Sequence, residues 1–126
     1  NRLKETGGLT FRGTQGESDY PLLLDINRSS RLADKDNLAV SLEDIARTFA
    51  QLEGLNPARD VLIAWQDEAP YAIGYSRLGW YSSRQDIRLY YQVSFLRQEF
   101  RGRGFWPAMV RQNECRLREI AEEHPL

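Results

Sequence analysis

Apolar positions along the chain change their spacing in a way that marks out its elements. Ile87, Leu89, Tyr91, Val93 and Phe95 alternate with mostly polar residues, the period of about 2 expected of a strand. Beyond them, Met109, Val110, Leu117, Ile120 and Ala121 recur near the helical period of about 3.6. The switch predicts a strand over 86–96 and a helix over 105–123. The turn between them holds Arg101, Gly102, Arg103 and Gly104.

The earlier part of the chain follows the same logic. Leu9, Thr10, Phe11 and Arg12 form a short strand after the pair Gly7 and Gly8, and residues 14–17 form a turn. Ser18 or Asp19 caps a first helix with Pro21 in its first turn, where a missing N–H costs little. Leu22, Leu23, Ile26 and Ser30 face one side, and the helix ends by Ala33. The polar run Asp34, Lys35, Asp36 and Asn37 is loop. Ser41 and Asp44 have capping-box spacing. Leu42, Ile45, Phe49 and Leu52 then make the apolar stripe of a second helix, which Gly54 is placed to end. Asn56 and Pro57 mark a loop. Residues 61–65 read as a strand buried on both faces, 66–70 as a hairpin turn, and 71–81 as a long strand. Gly74 and Gly79 inside that strand mark bulges or close approach. A turn over 82–85 leads into the strand over 86–96. Neither repeats nor linkers interrupt this order.

A strand, a glycine-rich turn and a helix N-terminus together make an anion site. The first helical N–H groups lack intrahelical partners, and the helix dipole adds partial positive charge there. Arg101 and Arg103 supply charge-assisted donors. The turn resembles the acyl-CoA-binding loop of the GNAT superfamily of N-acyltransferases, whose pattern is Gln/Arg-x-x-Gly-x-Gly/Ala. Arg101 and Gly104 match its first two fixed positions, while Trp106 stands where the family keeps a small residue. Gln98 occupies a position where the family often has proline.

The resemblance implies an α+β fold, a mixed, mostly antiparallel sheet flanked by helices in an α/β sandwich, in the order β-α-α-β-β-β-α. It covers nearly all of residues 1–126 as one GNAT-like domain, comprising the N-terminal and central part of the family fold. The later strands and helix would lie outside the chain, as in the first module of a tandem protein. It implies acetyl-CoA as acyl donor and a small-molecule or peptide primary amine as acceptor. The backbone of Ser94 and Leu96 would pair with pantetheine. Arg101, Gly102, Arg103, Gly104, Phe105 and Trp106 would hold the pyrophosphate. The two early helices would help shape the acceptor site.

Composition narrows the alternatives. The chain has 126 residues and a formal net charge of −1, so no global field favours nucleic acid or an anionic membrane. The arginines cluster between Arg97 and Arg118. No apolar run approaches the ~20 residues of a membrane helix. The single Cys115 cannot form an internal disulfide and suits a reducing cytoplasm. His124 is the sole histidine, so no zinc set or hydrolytic triad is indicated. Tyr90, Tyr91 and Glu99 are the local candidates for acid–base work. For the tyrosines the alternative is packing, and for Glu99 a solvated or Arg-paired charge. Trp65, Trp80, Tyr75 and Tyr81 line an acceptor pocket or pack in a core or an oligomer contact. The turn itself has a plainer reading as a solvated basic loop. The domain has one as a non-catalytic scaffold or dimerisation module.

The strand over 86–96 pairs with its neighbour over 71–81 on one side only. A long apolar edge invites pairing, so the expectation is that further polypeptide or a second copy in a homodimer covers it.

Overall fold

A computed structural model describes residues 8–35, 39–51, 56–66 and 72–124. The elements are β1 (Leu9–Gly13), α1 (Tyr20–Ala33), α2 (Leu42–Gln51), α3 (Pro57–Asp60), β2 (Val61–Gln66), β3 (Ala72–Ser82), β4 (Arg88–Leu96) and α4 (Phe105–Glu122). A four-stranded sheet in the order β1-β2-β3-β4, antiparallel throughout, carries α1 and α2 on one face and α4 on the other. The α+β sandwich and its element order agree with expectation, apart from the added turn of α3. Of the hairpin turn expected over 66–70, Gln66 instead ends β2, and residues 67–70, with Leu52, Gly54, Asp36 and Asn37, lie outside the described residues.

Alternation along each strand feeds two cores. Leu23, Ile26, Ile45, Phe49, Val61, Ile63 and Tyr75 pack between the sheet and α1/α2. Leu9, Ile73, Leu96, Phe100, Phe105 and Met109 pack between the sheet and α4. Each such side chain stabilises by about 1.5–3 kcal/mol on burial. A bulge lets β3 serve both. Ala64 pairs with Gly74 but Trp65 pairs with Ala72, so Ile73 is an extra residue. Ala72 joins the α1/α2 core and Ile73 the α4 core. At Gly74 an added Cβ would stand 2.6 Å from the Phe95 carbonyl oxygen and 3.0 Å from Met109 Cε. Both expectations for that glycine, bulge and close approach, meet there.

Several local readings need correction. Asp19 precedes α1 without capping it through its side chain. Its carboxylate instead receives Arg12 at 3.2 Å and the Gln15 N–H at 2.8 Å. Burial would raise its pKa, but those bonds outweigh burial and hold it below the usual value. Leu22 is half-buried, and Leu24 and Asn27 turn inward with Leu23 and Ile26. Leu42 is exposed, because the α2 stripe narrows to Ile45 and Phe49. Asn56 and Pro57 open a helical turn rather than a plain loop, with the Ala58 N–H donating to Asn56 Oδ1. The capping box holds: the Asp44 N–H donates to Ser41 Oγ, and the Ser41 N–H to Asp44 Oδ2. Among the described residues no helix is long and apolar enough to cross a membrane.

Candidate functional site: an open strand edge running into a helix N-terminus

β4 is the edge strand of the sheet. Its hydrogen-bonding parity follows from two bonds. The Arg97 N–H donates to the Ile73 carbonyl at 2.8 Å and the Ser83 N–H to the Ile87 carbonyl at 2.8 Å. In an antiparallel ladder the bonded pairs recur every two residues, so Leu89, Tyr91, Val93 and Phe95 direct their backbone groups toward β3. Those of Arg88, Tyr90, Gln92, Ser94 and Leu96 face the open edge. At Leu96 that edge is already taken. Its N–H donates to Ser30 Oγ at 3.2 Å, and its carbonyl accepts from Arg101 Nε at 3.3 Å. Ser94 keeps its edge-facing backbone, while its hydroxyl joins Ser76 Oγ at 2.8 Å.

After β4 the chain makes a 3-10 turn, Gln98–Phe100, and then reaches α4. Gly102 at φ 73° and Gly104 at φ 84° hold left-handed conformations that side chains resist. An added Cβ would meet nothing within 4 Å at either, so the demand is conformational rather than steric. Gly104 is the N-cap of α4, which has neither a side-chain cap nor an acidic residue in its first turn. No hydrogen bond to a described residue occupies the N–H groups of Gly102, Arg103, Gly104, Phe105 or Trp106. Pro107 contributes none, which sequence reasoning overlooked. An uncapped helix end of this kind favours an anion.

The two arginines of the loop differ. Arg101 is a brace: it bonds Ser30 Oγ at 2.8 Å, pairs with Asp34 at 3.0 Å and lies 5.8 Å from the Trp106 ring. Arg103 pairs with no carboxylate among the described residues, and its guanidinium rests 5.1 Å from the Phe100 ring and 5.6 Å from that of Phe105. Of the two arginines expected as charge-assisted donors, Arg101 thus directs its guanidinium to α1. Trp106 is exposed, clear of the core. Ser29 and Asp25 complete the tie between α1 and this segment. The Gln98 N–H donates to Ser29 Oγ at 2.9 Å, and Arg97 pairs with Asp25 at 2.7 Å.

On the α1/α2 face a cavity of about 390 Å³ is lined by Asn27, Arg31, Asp44, Tyr75, Arg77 and Phe95, among others. Tyr75 and Phe95 stack at 4.9 Å, and Arg31 lies over Phe95 at 5.9 Å. Asn27 donates to the Tyr75 hydroxyl at 3.0 Å and accepts from Arg31 Nε at 2.6 Å. Burial pushes the Tyr75 hydroxyl up, against the Asn27 bond and the nearby charges of Arg77 and Arg31. The Ser41 N–H, then Arg47 and the Ser41 hydroxyl, hold Asp44 below the usual carboxylate value.

The acid–base candidates scatter. The Tyr90 hydroxyl bonds His124 Nδ1 at 2.7 Å, near the far end of the hairpin. The Tyr91 ring lies against Gly79, and Glu99 is exposed. Of the four aromatic residues considered for an acceptor pocket, Tyr75 lines the cavity. Trp80 and Tyr81 are exposed at the far end of the hairpin, Trp80 against His124. Among the described residues no group of His, Cys, Asp and Glu could hold a metal ion.

Solved structures resemble this arrangement. A GCN5-related N-acetyltransferase from Sphaerobacter thermophilus superposes with a TM-score of 0.71 at 18% identity, over 94% of this chain and 35% of its own. The chain has the fold of the GNAT N-acetyltransferases. Salmonella typhimurium yncA, solved with its cofactor acetyl-CoA, matches with a TM-score of 0.59 at 16% identity, over 90% of this chain and 65% of its own. Glucosamine-6-phosphate N-acetyltransferase from Arabidopsis thaliana matches with a TM-score of 0.56 at 12% identity, over 89% of this chain and 76% of its own. The chain thus spans about a third of the Sphaerobacter GNAT protein and just under two thirds of yncA. No family model and no curated protein matches the sequence.

Proposed function

We propose that the chain carries the acyl-CoA-binding part of an N-acetyltransferase that moves an acetyl group from acetyl-CoA to a primary amine. The observation behind this reading is continuity. The free backbone edge of β4 at Gln92 and Ser94 leads toward the five unoccupied N–H groups of residues 102–106, beside Arg103. Pantetheine pairs with that edge, and the pyrophosphate sits on the loop. Leu96 joins the pairing only if Ser30 turns aside, and Arg101 shapes the loop rather than binding phosphate. The reaction itself needs positioning above all. The amine nitrogen attacks the thioester carbonyl carbon, the C–S bond breaks, and the leaving thiolate takes up the proton the amine loses.

The brace of Ser30, Arg101 and Asp34 across the end of the edge, with Trp106 at the helix start, favours a second reading, a scaffold or dimerisation module without catalysis. Calorimetry with coenzyme A separates the two. On the first reading the wild type binds, and Trp106→Gly binds tighter because a bulky residue leaves the loop. Absence of binding by both favours the second. In either case the rest of the open edge of β4, at Arg88 and Tyr90, is paired in the working protein, by further polypeptide or by a second copy. Light scattering on the isolated chain is expected to show self-association, and a stable soluble monomer that binds no acyl-CoA contradicts the pairing.

A further inference from the structure

The cavity beneath α1 and α2 is lined by one cation, Arg77, that has no ion partner among the described residues. Its volume of about 390 Å³ falls in the range of small-molecule sites, roughly 300–1,000 Å³. Its lining includes the stacked rings of Tyr75 and Phe95. Two guanidinium groups line it, Arg31 and Arg77, against the carboxylate of Asp44. Asp44 is engaged elsewhere, with Arg47 at 2.8 Å and the Ser41 N–H at 2.9 Å. Arg77 is half-buried and makes no ion pair among the described residues, and its buried Nε has no acceptor. A half-buried guanidinium whose Nε has lost water without gaining an acceptor is costly, so the site suits an anion that the described residues do not supply.

Its position says which molecule brings that anion. Val93 and Phe95 line the cavity. Between them Ser94 turns its backbone to the open edge, as the ladder parity requires. A ligand in the cavity therefore lies against the stretch of β4 read above as the pantetheine track.

We propose that this cavity binds the acceptor, as a primary amine that also carries an anionic group, a carboxylate or a phosphate, with Arg77 as its counter-charge. Arg31, held through Nε by Asn27, is the second donor. The anionic end anchors at the arginines, which leaves the amine free to face β4. The anion takes no part in the bond changes of acetyl transfer. Naming the ligand as the acceptor rests on the acetyl-transfer reading, whereas the anion site stands on the cavity and Arg77.

Two matched pairs of probes test it: L-leucine against L-leucinamide, and glucosamine 6-phosphate against glucosamine. Each is titrated calorimetrically into the wild type, Arg77→Met and Arg77→Lys, with coenzyme A titrated in parallel. The wild type is expected to bind the anionic member of one pair at least about tenfold tighter than its neutral partner, the scale of one charge-assisted bond. Arg77→Met removes that preference, Arg77→Lys keeps part of it, and coenzyme A affinity stays unchanged in both. The pair that responds tells carboxylate from phosphate. A wild type without preference in either pair overturns the inference even if Arg77→Met fails to fold. So does an undiminished preference in Arg77→Met. If coenzyme A binds and the preference is absent, the anion site and the acceptor assignment fail while the acetyl-transfer reading stands. If the preference is present and Arg77-dependent while coenzyme A does not bind, the acetyl-transfer reading fails and the anion site remains.

Discussion

The two faces of β3 and β4 are built from the same strands and treated in opposite ways. On the α4 face Gly74 has no room for a Cβ, which would stand 2.6 Å from the Phe95 carbonyl oxygen of β4 and 3.0 Å from Met109 Cε of α4. Most polar groups there are spent on one another, although the buried Asn113 Oδ1 has no hydrogen-bond partner among the described residues. Asn113 Nδ2 lies 2.8 Å from Ser76 Oγ, 2.9 Å from Gln92 Oε1 and 3.1 Å from Ser94 Oγ. On the other face α1 and α2 leave a cavity lined by two arginines. The closed face holds the fold, and on the open face the Arg77 Nε has no acceptor among the described residues. Where packing is close, a substitution should act on stability. Where space and charge are left over, it should act on binding.

The sharpest break of that contrast is Met109→Ala. Met109 is fully buried under α4, and its truncation is expected to cost about 3 kcal/mol in chemical denaturation. Val93→Leu, which adds volume beside the cavity, is expected to cost less than about 1 kcal/mol. Comparable costs would mean the two faces are packed alike.

Much of this division was legible in the sequence, for physical reasons. The change of period between Phe95 and Met109 placed β4 and α4, because the two geometries demand different spacings. The capping box at Ser41 and Asp44 was legible because its bonds are local. The loop glycines were legible because only glycine takes those dihedrals readily. What could not be read are contacts set by the tertiary fold. Arg101 looked like a free phosphate ligand until α1 brought Ser30 and Asp34 beside it, some 70 residues away in sequence. Arg77 passed unnoticed within an apolar strand, although a charge between Tyr75 and Leu78 was a signal. Asn113, on the buried face of α4 one turn after Met109, was another.

A smaller effect bears on the brace that separates the faces at the end of β4. Ser30→Ala removes the acceptor for the Leu96 N–H and for Arg101. It should cost about 1–2 kcal/mol, because a buried N–H loses its partner. If the Leu96 edge is part of the pantetheine track, the same variant binds coenzyme A no more weakly than wild type. A loss of both stability and coenzyme A affinity would show that the brace shapes the loop instead.

The smallest effect is on pH dependence. Asp19 and Asp44 titrate below their ordinary values in the folded protein. Their contribution is therefore fully present above the unfolded pKa, about 4, and is lost as the pH falls through the lower folded values. Thermal melting between pH 6 and pH 2.5 should show stability falling below about pH 4. Asp44→Asn should flatten that fall slightly and leave coenzyme A binding unchanged. An identical pH profile for the variant would remove Asp44 from the account.

The central claim is that residues 102–106 cradle a pyrophosphate beside the open edge of β4. Amide NMR with coenzyme A tests it most directly, because the N–H groups in question report on themselves. The account predicts progressive, saturable shifts at Gly102, Arg103, Gly104, Phe105 and Trp106, with smaller ones at Gln92 and Ser94. Coenzyme A that leaves those five signals in place, or shifts only residues remote from α4, contradicts it.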